Sequence, residues 1–124
     1  MKKFLLLVVL VTVSMSAQYH KFEFNTIRTG DTSGRLGIQH YSKSTIEIYF
    51  ENEKQYLAWT TADGLTNRAL IVSAPEKKTD NTNEDYILYK LEFSNGKRSV
   101  AMFYQNPKIG VLLIEAKDIT FLTI

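Results

Sequence analysis

Two regimes of hydrophobic pattern divide the chain. From Phe4 to Val13 every residue but Thr12 is apolar, whereas beyond residue 17 apolar and polar positions alternate with the period of two that marks β-strands. Alternation is cleanest over Thr45–Glu51, where Ile46, Ile48 and Phe50 point one way and Glu47, Tyr49 and Glu51 the other. Further strands are predicted at Lys21–Arg28, Arg68–Ala74, Ile109–Ala116 and Ile119–Ile124. Val111-Leu112-Leu113-Ile114 is apolar on both faces, which predicts a strand covered twice. Asn95-Gly96 between two β-rich runs predicts a hairpin over Glu84–Gln105. Read as a two-residue turn, it sets Leu91 against Val100, Tyr89 against Met102 and Ile87 against Tyr104. Lys90 then opposes Ala101, and Leu88 opposes Phe103, on the second face.

Gly30-Asp31-Thr32-Ser33-Gly34-Arg35 and Lys77–Asn83 read as loops, and Lys117-Asp118 as a tight turn or bend. Asn52–Thr61 admits two readings. Asn52 with Gln55 resembles a helix capping pair, but Tyr56, Ala58 and Thr60 alternate with Leu57 and Trp59, which favours a strand. Seven or eight short antiparallel strands in a meander predict an all-β domain: a small barrel, a curled sheet or a sandwich. Lipocalin-type barrels are the nearest architectural analogy. Their N-terminal Gly-x-Trp signature is missing, since Trp59 lies mid-chain after Ala58, so the analogy carries no function.

The apolar run at the start belongs to a different task. Lys2 and Lys3, the run Phe4–Val13 and the small residues Ser14, Ser16 and Ala17 form the three parts of a secretory signal peptide helix. The run is about half of the ~20 apolar residues a spanning helix needs. Residues 1–17 are therefore expected to leave, with the cut after Ser16 or Ala17, and residues 18–124 to form one secreted or periplasmic β domain. Removal changes the charge. The whole chain has 15 basic and 13 acidic residues, but both excess cations are Lys2 and Lys3, so the exported domain is formally neutral. A neutral domain makes a poor nucleic-acid binder, and no stable membrane anchor is expected after cleavage. The chain has no cysteine, which excludes a disulfide framework, a thiolate zinc site and a thiol nucleophile.

Candidate chemistry is sparse. Gly30, Ser33, Gly34 and Arg35 could present N–H groups and a guanidinium to an anion, although such residues more often make plain turns. His20 and His40 have no partner at a metal-ligand spacing, so no metal or other cofactor is expected. Asp31, Ser33 and His40 supply the side chains of a hydrolytic triad without a nucleophile elbow. Glu115 and Asp118 are a carboxylate pair in sequence, more simply read as solvent-facing charges beside a turn. The second apolar face is the most informative feature. Leu88, Ala101 and Phe103, with Tyr86 and with Leu112 or Ile114, are expected either to lie under another layer of the domain or to line a ligand or partner surface. Trp59, Tyr49 and Tyr56 are aromatics suited to the same surface. The expectation is a non-enzymatic binding domain for a small apolar ligand or a protein partner. A self-associating envelope domain, homodimeric through the second face, is the alternative, and a small hydrolase is the third reading.

Overall fold

The computed structural model describes residues 19–124, and the expected signal peptide with its expected cleavage site lies outside them. Nine strands follow in order: β1 (His20–Asp31), β2 (His40–Glu51), β3 (Lys54–Thr60), β4 (Thr66–Ile71), β5 (Glu76–Thr79), β6 (Asp85–Phe93), β7 (Arg98–Tyr104), β8 (Val111–Glu115) and β9 (Asp118–Thr123). All pairings are antiparallel. β1 joins β9, and β4 joins β6, so eight strands close into a barrel with β5 as an extra strand on the lower part of β6. The segment expected as a loop at Lys77–Asn83 is thus partly strand. Pro75 breaks the run between β4 and β5, and Glu76–Thr79 resumes pairing with β6. Asn52–Thr61 resolves as strand β3 after a turn in which Asn52 and Glu53 have φ of 51° and 65°. Those paired positive values are the signature of a two-residue hairpin turn, which is why no helix starts there.

The hairpin between β6 and β7 differs from its sequence reading by one residue. Leu91 opposes Ser99, Tyr89 opposes Ala101 and Ile87 opposes Phe103. The cause is the turn. Phe93 N–H donates to Lys97 O, Gly96 N–H donates to Phe93 O, and Gly96 has φ of 84°. This is a three-residue loop whose last residue is left-handed, not the two-residue turn that Asn-Gly suggests. The same backbone pattern closes Asp31–Arg35, Thr61–Leu65 and Asp80–Glu84, with Gly34, Gly64 and Asn83 in the left-handed position.

The slip separates the expected second face. Ala101 and Phe103, 0% and 8% exposed, point into the barrel, while Leu88 points out beside Met102. No other layer covers the outside among the described residues, because the barrel is one sheet rolled on itself. The core therefore lies inside the ring. Ile46, Ile48 and Leu122 are fully enclosed, and Phe24, Tyr89, Phe103 and Val111 pack around them at one end. Phe22 and Tyr89 meet Phe103 at ring-centroid distances of 4.9 and 5.3 Å. Phe50 keeps the inward parity of Ile46 and Ile48 but reaches the barrel end, where it is 48% exposed. A register shift between Phe24 and Thr26 on the β1–β2 ladder lets β1 change its inward set, from Phe22 and Phe24 to Ile27 and Thr29.

Two stability outcomes follow from this packing. Ile46→Ala should cost about 2–5 kcal/mol and Phe50→Ala under about 1.5 kcal/mol, read from urea midpoints at constant slope. Glu53→Gly should raise stability by up to about 1 kcal/mol, because relief of a left-handed side chain exceeds the added chain entropy. A loss in that variant would contradict the turn.

Candidate functional site

The opposite end of the barrel is open, and its inward positions explain why. Ser99 on β7, Thr120 on β9, Thr29 on β1 and Asn67 on β4 are all small or polar where the lower half carries aromatics. The space they leave is a cavity of about 1200 Å³. Leu57 and Leu91, 3% and 2% exposed, form its floor, and Trp59, Phe93 and Leu113 form apolar walls. Carboxylates mark one side of the rim. Glu115 opposes Asp118, and Asp118 opposes Asp31, so three acids sit at neighbouring strand ends with Arg35 and Lys97 on nearby turns. The result is a concave interior, apolar at its floor and polar at its opening.

The sequence candidates scatter around this cavity. Trp59 lines it. Tyr49 and Tyr56 instead form a cross-strand pair on the outer wall, rings 5.9 Å apart, with the Arg68 guanidinium 4.1 Å above Tyr56. Arg68 also donates to Glu51 at 2.7 Å. Tyr86 lies on the outside, 5.0 Å from the Tyr104 ring, and Leu88 is also outside. Phe103 fills the closed end.

Of the loop residues, Gly30 and Arg35 line the opening. Ser33 and Gly34 lie at the tip of the turn. The anion held by that turn is its own: Asp31 accepts from Ser33 N–H at 3.0 Å, from Arg35 N–H at 3.2 Å and from Ser33 Oγ. Ser33 is thus bonded directly to an acid, while His40 pairs with Ile27 and shares no hydrogen bond with either among the described residues. No group of three or more His, Cys, Asp or Glu side chains among the described residues could hold a metal ion. Leu57, Leu91, Phe93, Leu113, Ser99 and Asn67 went unmarked in the sequence reading. The signal was Ser99 and Asn67, small or polar at inward positions beside larger apolar neighbours, and it became readable only once the register was known.

Two turns share one electrostatic device. Asp80 repeats Asp31, accepting from Thr82 N–H at 2.8 Å, Thr82 Oγ1 at 2.7 Å, Glu84 N–H at 3.0 Å and the Tyr104 hydroxyl at 3.1 Å. The Thr82 hydroxyl and then the backbone N–H groups hold the Asp80 carboxyl below its ordinary 3.8, as the Ser33 hydroxyl does for Asp31. Burial first, and the bond to Asp80 second, push Tyr104 up to about 12. A carboxyl lowered in the folded state adds stability above its unfolded value, and that stability is lost as pH falls through the folded value. Asp80→Asn should therefore be less stable than the parent at neutral pH, with the gap narrowing below pH 3.8 in urea titrations. A gap that persists unchanged into acid would rule the device out.

Comparison of the chain with protein-family models, with curated proteins and with solved structures finds no match in any of the three.

Proposed function

We propose that this is an exported binding barrel that takes a small apolar or amphiphilic molecule through its open end. The observation that carries the reading is the cavity of about 1200 Å³, apolar at its floor and polar at its rim. Ligand pockets commonly run to roughly 300–1,000 Å³, so the space suits a lipid-sized body. Its apolar part would rest on Trp59, Phe93 and Leu113, and its polar end would stay among the rim side chains. Burial of apolar area supplies the affinity, at about 25 cal/mol per Å² before the entropy of capture is subtracted. The reading calls for no reaction and no cofactor. Export rests on the signal pattern in residues 1–17, with the cut after Ser16 or Ala17.

Trp59 is the only tryptophan and lines the cavity, so it reports occupancy directly. Titration with long-chain fatty acids and with anilinonaphthalene sulfonate should give a saturable change in Trp59 emission at one molecule per chain. Ser99→Trp, which fills the cavity from β7, should weaken binding at least about tenfold while lowering the unfolding free energy by no more than about 1–3 kcal/mol, the usual cost of added bulk. Absence of any saturable change, or binding untouched by the Ser99 variant, would overturn the reading. Intact mass of the secreted protein should match a chain starting at Ala17 or Gln18.

A further inference from the structure

Between its charged rim and its apolar floor the cavity carries a belt of uncharged hydrogen-bonding side chains. Thr29 on β1 and Thr120 on β9 oppose each other across the strand pair, one inward step below Asp31 and Asp118. Ser99 on β7 is flanked by Leu91 of the floor and Glu115 of the rim, and Asn67 on β4 lies beside Trp59. Thr29 and Asn67 stay exposed although they point inward, because they border open space. All four side chains can both donate and accept. None of the four takes part in a side-chain hydrogen bond among the described residues. The fold therefore makes no use of their polarity, and water or a ligand is what they can bond.

The rim above the belt offers no field that favours an ion. Asp31, Glu115 and Asp118 are interleaved with Arg35, Lys97 and Lys117, so both signs are present in equal number. Asp31 already accepts from the N–H groups of Ser33 and Arg35 in its own turn. Arg68, the remaining charged side chain along the cavity among the described residues, donates to Glu51 on the outer wall. A carboxylate or ammonium head would lose hydration and meet both signs at once. A hydroxyl or ester gives up less hydration and finds matched partners in the belt. Resting on the cavity reading, we propose that the ligand is an uncharged amphiphile. Its aliphatic body lies on Trp59, Phe93 and Leu113, and its head-group oxygens bond within the belt of Thr29, Thr120, Ser99 and Asn67. The belt then chooses the head group, while burial on the floor supplies most of the affinity.

All strands and the core lie within residues 19–124, so the test uses a chain of residues 18–124. Trp59 emission is followed at neutral pH with decan-1-ol, decanoate and decylammonium, which share one body and differ in the charge of the head. Decan-1-ol should bind at least about tenfold more tightly than either ion. Thr29→Val with Thr120→Val removes two hydroxyls at nearly constant shape and should weaken decan-1-ol at least about fivefold, the effect of one lost hydrogen bond. A purely apolar pocket would bind the alcohol as well or better after that change. Ser99→Ala should weaken it about threefold, and keeps the test open if the valine variant unfolds. Decan-1-ol binding undiminished in these variants overturns the proposal. Either ion bound as tightly as the alcohol also overturns it, and decanoate weakened by Arg35→Gln would then assign an anionic head to Arg35. Those outcomes leave the cavity reading standing, whereas no saturable response to any of the three compounds or to anilinonaphthalene sulfonate removes both.

Discussion

Everything in this molecule depends on closure of the sheet. Three residue pairs between β4 and β6, Ala69 with Phe93 through Ile71 with Leu91, join the two halves on one side, and six pairs between β1 and β9 join them on the other. Once both seams are made, each strand residue is either inside or outside, and no middle position remains. An eight-stranded ring encloses a space that side chains can just fill. Whether it becomes core or cavity is then decided residue by residue, by the size of what each strand turns inward. In the lower half Phe22, Phe24, Tyr89 and Phe103 fill it, and in the upper half Ser99, Thr120 and Thr29 do not.

The division explains how a protein without disulfides can hold an open cavity. Burial is concentrated at the closed end, where Ile46, Ile48, Ala101 and Leu122 are 0% exposed. Cross-strand hydrogen bonds continue past that core to the rim, so Glu115 with Asp118 and Asp31 with Asp118 remain paired beside empty space. The ladder thus supports the upper walls without side-chain packing behind them. An inward Leu at Ser99 or Thr120 would be better for stability and worse for holding anything.

The all-β class, seven of the nine strands and the strand character of Lys54–Thr60 were legible because alternation survives translation into any register. What the sequence did not carry was the phase between strands. Asn95-Gly96 supports a two-residue and a three-residue turn, and the choice turns on which residue takes the left-handed backbone. In the fold it is Gly96 alone, in common with Gly34, Gly64 and Asn83 in three other turns. Because side chains alternate with period two, one residue of slip moved Ala101 and Phe103 from the second face to the core. The site was lost by the same step. Trp59 was visible as a lone aromatic, whereas Ser99 and Asn67 have meaning only once they are known to face a ring of larger neighbours. β5 was missed for another reason: Glu76-Lys77-Lys78-Thr79 has no apolar face, and its pairing to β6 is held by backbone alone.

Phase also fixes what the outer wall can be. The strand expected to be covered on both faces, Val111–Ile114, does have two apolar faces, with Val111 and Leu113 inward and Leu112 and Ile114 outward. A barrel can cover only the inner pair. In a sandwich the outer pair would have signalled a second layer, but a closed ring has none to offer. The aliphatic character of Leu112, Ile114, Ile119 and Phe121 is therefore not explained by folding, since solvent-facing positions on β1 and β2 are filled by Lys21, Glu23 and Glu47 in the same ring. Packing inside the ring accounts for the inward side chains of β8 and β9, whereas the outward ones are half-buried only against one another.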